Sequence, residues 1–179
     1  MPPITIPKEI NASATKCKNA LFIFKSFSLS LKKKNAEIIK VPIIIDPEEL
    51  KRYSGSVEVK KPYLLHSGSL SERKDGIIGV FEAFALSNKI LEGKLHFYIT
   101  DKIAPAEVTE KINKIIFENS LQSNIHFLGI VSNEELISYQ KGCSMLILNK
   151  PDNEQNKYNF STKLGAYLAL SKPVIFTLV

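Results

Sequence analysis

The chain has 179 residues, 44% of them hydrophobic and 23% charged, and 24 Lys and Arg against 18 Asp and Glu give a net charge of +6. That length holds one domain, or one domain and a piece of another, and a core of that size folds without disulfides or metals. The composition is that of an ordinary globular chain with no apolar stretch near the ~20 residues of a membrane span, and the excess of positive charge suits an anionic partner: a nucleotide, a membrane surface or nucleic acid.

In the first 60 residues, Ala20 to Phe24 is apolar, and Phe27, Leu29 and Leu31 alternate with serines, a period-2 pattern that favours a strand. Lys32, Lys33 and Lys34 read as a solvated turn or helix end. Val41 to Ile45, bracketed by Pro42 and Pro47, reads as an ordered connector, with a domain boundary near Asp46. From Lys61 onward short apolar runs alternate with longer amphipathic ones. Pro62 to Ser67 (PYLLHS) predicts a strand ended by Gly68. Gly76 to Asn88 carries Ile77, Val80, Phe81, Phe84 and Ala85 at helical spacing. Lys94 to Thr100 (KLHFYIT) is the next strand, and Pro105 opens a helix striped by Val108, Ile112, Ile115 and Ile116.

Asn124 to Leu128 is a short strand stopped by Gly129. Ser132 and Glu135 form a capping box for a helix that buries Leu136, Ile137 and Gln140 or its neighbours. Ser144 to Leu148 (SMLIL) is a continuous apolar strand, as expected with both faces covered. A polar loop follows from Asn149 to Phe160, then a helix from Ser161 to Leu170 and a strand from Pro173 to Thr177. Strands alternating with helices predict a parallel sheet with right-handed crossovers, an open doubly wound α/β domain of Rossmann-like type. The last strand has no covering helix after it, so the natural polypeptide is expected to continue.

In such sheets ligands bind outside the carboxyl ends of the strands, where the strand order reverses. With the usual order, strand 62–67 neighbours strand 144–148, and the loops Gly68 to Lys74 and Asn149 to Ser161 flank the crevice. The first loop supplies a close-approach glycine, Gly68, the hydroxyls of Ser69 and Ser71, and the cations Arg73 and Lys74. The second delivers Ser161, Thr162 and Lys163 at a helix N-terminus, where free amides, a dipole and a lysine make an anion site. Neither loop holds a complete dinucleotide or P-loop motif.

These segments carry a resemblance. Tyr63-Leu-Leu-His-Ser-Gly-Ser-Leu-Ser-Glu-Arg-Lys-Asp-Gly76, Phe127-Leu-Gly-Ile-Val-Ser-Asn-Glu-Glu-Leu136 and Ser161-Thr-Lys-Leu-Gly-Ala-Tyr-Leu-Ala-Leu-Ser-Lys-Pro-Val-Ile175 resemble the C-terminal domain of the retaining GT-B glycosyltransferases of the group 1 type. Val41-Pro-Ile-Ile-Ile-Asp46 resembles the linker between the two GT-B domains. The likeness runs from about Ala20 to the end, and four motifs in the right order carry it. It implies residues 1–45 as a remnant of the N-terminal acceptor domain plus linker, with Ser26 onward helical against the alternation. Residues 46–179 become a donor domain incomplete at its C-terminus.

The resemblance implies transfer of a sugar from a UDP- or GDP-sugar to a cell-surface polysaccharide or glycolipid acceptor. It implies no cofactor, no metal and no nucleic acid. Lys74 would neutralise the diphosphate, Gly68 and Ser69 would also bind the donor nucleotide or its phosphates, Gly129, Ile130 and Val131 would lie beside the base, and Ser161, Thr162 and Lys163 would face the phosphates. No catalytic residue is assigned, and this segment alone is expected to be inactive. An arginine common in the family is Ser69 here, and two family glutamates that contact the sugar and ribose fall at Tyr158 and Ala166, with Glu154 the nearest carboxylate to the first. The alternative is a degenerate GT-B domain that binds a nucleotide or a partner without turnover.

His66, His96 and His126 recur at the repeat length of the fold, on different strands and at different heights, which argues against a shared metal. Cys143 opens an apolar strand and reads as core. Cys17 and Cys143 show no paired spacing, and Pro2, Pro3 and Pro7 interrupt any leader-like pattern. A reduced, cytoplasmic protein with peripheral contact to an anionic membrane face is the expectation.

Overall fold

The computed structural model describes residues 19–22, 37–40, 47–53, 55, 57–60, 62–100, 104–157 and 161–177. They fall into two compact units. One contains the strands β1 (Asn19–Phe22) and β2 (Glu37–Lys40), paired in parallel with Asn19 opposite Glu37. β2 has no counterpart in the period-based reading, which placed the apolar connector just after it. The alternating segment Phe27–Leu31, the connector Val41–Ile45 and the boundary near Asp46 lie outside the described residues.

The second unit begins with α1 (Pro47–Arg52), a short helix that periodicity missed, with Pro47 at its first position. Five strands follow: β3 (Tyr63–Ser67), β4 (His96–Thr100), β5 (Ile125–Gly129), β6 (Met145–Leu148) and β7 (Val174–Phe176). They form one parallel sheet in the order β5-β4-β3-β6-β7. The expected doubly wound architecture is therefore present, and β3 and β6 are neighbours. All five residues of central β3 are buried, which explains why its sequence is an unbroken run with little polar alternation.

Strand alternation divides the core into two layers. Leu64, Phe97, Ile99, Ile125 and Ile147 point to one face, where α3 (Ile77–Ile90) presents Ile77, Val80, Phe81, Phe84 and Ala85. α4 (Ala106–Glu118) adds Ile112, with Val108, Ile115 and Ile116 packed behind it. Pro105 is the N-cap of α4, so the helix starts one position after the expected first residue. Phe97 lies between Phe81 and Phe84, with ring centroids 5.4 and 5.2 Å away. Each buried phenyl contributes about 2–3 kcal/mol of transfer free energy. Buried amides finish the turns: Asn88 accepts from the Leu95 amide at 3.1 Å, and Asn124 donates to the carbonyls of Gly93 and Leu95, both at 2.8 Å.

Tyr63, Leu65, Tyr98, Leu146 and Leu148 point to the other face, together with buried Cys143 and Tyr167. This layer is covered by α5 (Asn133–Gly142) and α7 (Thr162–Ala169). Ser132 and Glu135 make the expected capping box, with both reciprocal bonds present at 2.8 and 3.2 Å. Of the side chains expected inside α5, Ile137 and Gln140 are buried and Leu136 is half-buried; Ser138 joins them. The segment after β6 is not loop throughout. It contains α6 (Glu154–Lys157), started by Asn153, whose side chain accepts from the Asn156 amide at 2.9 Å.

Candidate functional site

The site is assembled at the carboxyl end of β3. Ser67, the last residue of that strand, is hydrogen-bonded through its hydroxyl to the fully buried Tyr167 hydroxyl of α7. Lys163 lies one turn earlier on the same face of α7, and its ammonium donates to the Ser67 carbonyl at 2.5 Å. The next residue, Gly68, has φ +124°, and a Cβ there would collide with the Lys163 ammonium. The backbone conformation favours glycine here, and any other side chain would also have to push the Lys163 ammonium aside.

The N-terminus of α7 is uncapped by a side chain and carries a cation. Ser161 occupies the N-cap position without a side-chain cap, and the first turn holds no acidic residue. Lys163 stands there instead, against the helix dipole. For stability alone this costs about 0.3–1 kcal/mol, whereas for an anion it is an attractive terminus.

Beside this terminus opens a cavity of ≈ 510 Å³. Ser67, Gly68 and Thr100 line it where β3 and β4 end, and Thr162, Lys163, Ala166 and Tyr167 of α7 form one wall. The opposite wall is Ile130 and Val131 after β5, then Asn133, Leu136, Ile137 and Gln140 along one face of α5. Leu50 and Tyr53, from α1 and just after it, close a further side. Among the described residues lining the cavity, Lys163 is the charged one, and no carboxylate is present. The chemistry is therefore a cationic end joined to a largely apolar cleft, of a size usual for a small-molecule site.

The two loops expected to flank an open crevice are instead bound to each other. Lys150 forms an ion pair with buried Asp75 at 2.7 Å, and Ser69 donates to the same carboxylate at 3.2 Å. Asn149 donates to the carbonyls of Asp75 and Gly76, Asn153 to that of Arg73 and Asn156 to that of Lys74. The amides of the short helix α2 (Glu72–Asp75) and its cap already bond within the turn, so its outward carbonyls need donors. The asparagines and lysine after β6 supply them. This closes the gap between the loops after β3 and β6, and the cavity lies to the side, between α5 and α7.

Of the residues expected at the site, Gly68, Ile130, Val131, Thr162 and Lys163 line the cavity together. Ser69, Lys74, Gly129 and Ser161 do not line it. Ser69 faces Asp75, and the Lys74 carbonyl is held by Asn156. Gly129 ends β5 with φ +68°. Glu154 is exposed and pairs with Lys157 at 3.4 Å, away from the cavity. Tyr158 lies outside the described residues, and Ala166 is on the cavity wall. Leu50, Tyr53, Thr100, Gln140 and Tyr167 were not expected there. The stripe 133/136/137/140 on α5 was visible as helical spacing, although nothing in it distinguished a cavity wall from core.

Two further readings are decided by the packing. Cys143 is core, and burial pushes its thiol up from its ordinary value. The histidines do not all stand apart: His96 and His126 are diagonal neighbours on β4 and β5, with Nδ1 to Nε2 at 3.0 Å. His66 is far from them along β3, opposite Ile99. Among the described residues no three His, Cys, Asp or Glu side chains converge as a metal group.

No family model matches the sequence, and no curated protein matches it. Solved structures do. WaaG, a glycosyltransferase involved in lipopolysaccharide biosynthesis, aligns with a TM-score of 0.61 at 16% identity over 87% of this chain and 43% of its own. Anabaena Alr3699/HepE, solved in complex with UDP and glucose, aligns with a TM-score of 0.66 at 11% identity over 93% of this chain and 46% of its own. The C-terminal domain of the glycosyl transferase group 1 family protein LpcC from Francisella tularensis aligns with a TM-score of 0.56 at 14% identity, covering 75% of this chain and 66% of that domain.

The fold is that of the C-terminal half of a GT-B glycosyltransferase.

The chain spans less than half the length of WaaG and HepE. In this GT-B-type half, β3 and β6 are the central strands, and the cavity opens on the layer covered by α5 and α7.

Proposed function

We propose that this chain is the donor-binding half of a glycosyltransferase that moves a sugar from a UDP- or GDP-sugar to a saccharide or lipid-linked acceptor in cell-surface polysaccharide or glycolipid synthesis. The observation that carries the reading is the uncapped, acid-free N-terminus of α7, with Lys163 in its first turn, beside a cavity with apolar walls. A nucleoside diphosphate has that same division into an anionic end and a flat, weakly polar end. The fold neighbour HepE, solved with UDP and glucose, supports the choice of ligand.

In this reading the amides of α7, Thr162, Lys163 and Gly68 take the diphosphate. Ile130 and Val131, with Leu136 and Ile137 behind them, take the nucleobase. The leaving diphosphate gains negative charge as the glycosidic bond breaks, so a fixed dipole and cation favour the transition state over the bound donor. Protein groups supply that charge, with neither metal nor cofactor. Lys74, Gly129 and Ser161, outside the cavity lining, belong to the proposed donor site through the loops that carry them, whereas the Ser69 hydroxyl is held by Asp75. Work at the cytoplasmic face of a membrane fits a lipid-linked acceptor and the net charge of +6.

Thermal-shift measurements with UDP, GDP, ADP and their sugar conjugates test the proposal, because a ligand of the folded state raises the midpoint by mass action. A rise with UDP or GDP is expected, and no shift with any of them at millimolar concentration would overturn the reading. Lys163→Ala and Lys74→Ala are each expected to weaken nucleoside diphosphate more than nucleoside. Equal weakening of both ligands removes that lysine from the phosphate role.

A further inference from the structure

Gln140 is 5% exposed, yet it is the odd member of the buried carboxamides. Asn88, Asn124 and Asn156 each spend their side-chain amide on a neighbouring backbone group. The Gln140 carboxamide makes no hydrogen bond to any described residue. It also lines the cavity, on the wall formed by α5. Buried polar groups are almost always satisfied, and one left open inside a cleft marks a place for a partner from outside.

The surroundings define that partner. Gln140 ends the stripe on α5 that begins at Asn133, two turns and about 10 Å away at the opposite end of the helix. Leu136 and Ile137 lie between them, and Tyr53 lines the same cavity. The Gln140 carboxamide, carrying a donor and an acceptor side by side in a plane, therefore stands beside Leu136 and Ile137 on a wall whose other carboxamide, Asn133, is at the far end of α5. The complement is a flat ring whose edge offers an N–H beside a carbonyl, as uracil and guanine do.

We propose that Gln140 reads the nucleobase: its amide N–H donates to a ring carbonyl, and its oxygen accepts from the adjacent ring N–H. The inference rests on the nucleotide reading above and adds to it the side chain that selects the base edge. Contacts made by Ile130 and Val131 alone would hold a base by shape and backbone. Gln140 makes binding depend on the hydrogen-bonding edge.

The test is a cycle in titration calorimetry with uridine diphosphate, 3-methyluridine diphosphate and inorganic pyrophosphate. Methylation at N3 removes the ring N–H that Gln140 accepts. The unmodified chain is expected to bind the methylated ligand about tenfold more weakly than uridine diphosphate, the effect of one lost hydrogen bond with an unpaired partner. In Gln140→Met, and separately in Gln140→Leu, uridine diphosphate weakens by a similar factor, the methylation penalty shrinks, and pyrophosphate binding is unchanged. A full penalty retained in both variants, or no penalty in the unmodified chain, overturns the role of Gln140 while leaving nucleotide binding standing. Failure of the unmodified chain to bind uridine diphosphate at all overturns the nucleotide reading and this inference with it.

Discussion

Lys163 lies across Gly68. The lysine reaches from the first turn of α7 to the end of β3, and the glycine leaves it room to bond the Ser67 carbonyl. This places the cation at the mouth of the cavity, and it makes Gly68 and Lys163 one structural unit. Gly68→Ala is expected to cost about 1–3 kcal/mol of stability, from a side chain at φ +124° and from displacing the ammonium. In Lys163→Ala the second part is absent, so the double variant should be more stable than the sum of the single losses predicts. Urea denaturation of the four proteins measures this; simple additivity would show that the lysine does not press on that position.

The ion pair between Lys150 and Asp75 holds the loop after β6 against the turn after β3. Asp75 is 1% exposed, so Lys150→Met leaves a buried carboxylate with Ser69 as its remaining side-chain donor among the described residues. A loss of about 3–5 kcal/mol is expected. Adding Asp75→Asn removes the stranded charge and should recover part of that loss. A double variant no more stable than Lys150→Met would mean that the stranded charge is not what destabilises it.

His66 gives the protein a stability that depends on pH. Burial, and then the nearby Lys163 ammonium, push its imidazole down from 6.5 to about 4. Between those values the unfolded chain binds a proton at this residue and the folded chain does not. Stability from His66 is therefore whole above pH 6.5, falls as pH drops towards 4, and changes no further below that. The full loss is about 3 kcal/mol as an upper figure. His96 and His126 shift in the same direction, so the readout is the difference between the unmodified chain and His66→Phe. Guanidinium midpoints at pH 7 and pH 4.5 should differ less in the variant; an equal difference would place the pH dependence elsewhere.

Much of the sheet was legible because period and burial coincide there. The run Tyr63–Leu65 is apolar without alternation since both faces of β3 are covered, and Ser132 with Glu135 announces α5 through chemistry confined to four residues. α1 and α6 were missed because six- and four-residue helices are too short to show a period. The histidine pair was missed for a different reason. Whether His96 meets His126 depends on the register between β4 and β5, which no single strand encodes.

The candidate site divides the same way. A glycine after a strand, and a Ser-Thr-Lys run opening a helix, mark an anion site by local chemistry, and those residues do meet at one cavity. Their neighbours arrive from far along the chain: Tyr53 from after α1, Thr100 from β4 and Gln140 from the end of α5. The closing of the gap between the β3 and β6 loops is equally non-local, because Asp75 and Lys150 are 75 positions apart.

By itself the sequence determined the alternating strands and helices, the parallel doubly wound sheet and the glycine and lysine that suit an anion, since propensity, capping and periodicity act within a few residues. Only the tertiary structure decided that Lys163 crosses Gly68, that Asp75 pairs with Lys150, and that the buried Gln140 carboxamide lines the cavity without a bond to any described residue. Those outcomes follow from register and from the packing of α5 and α7 on the sheet, which bring distant groups within hydrogen-bond range.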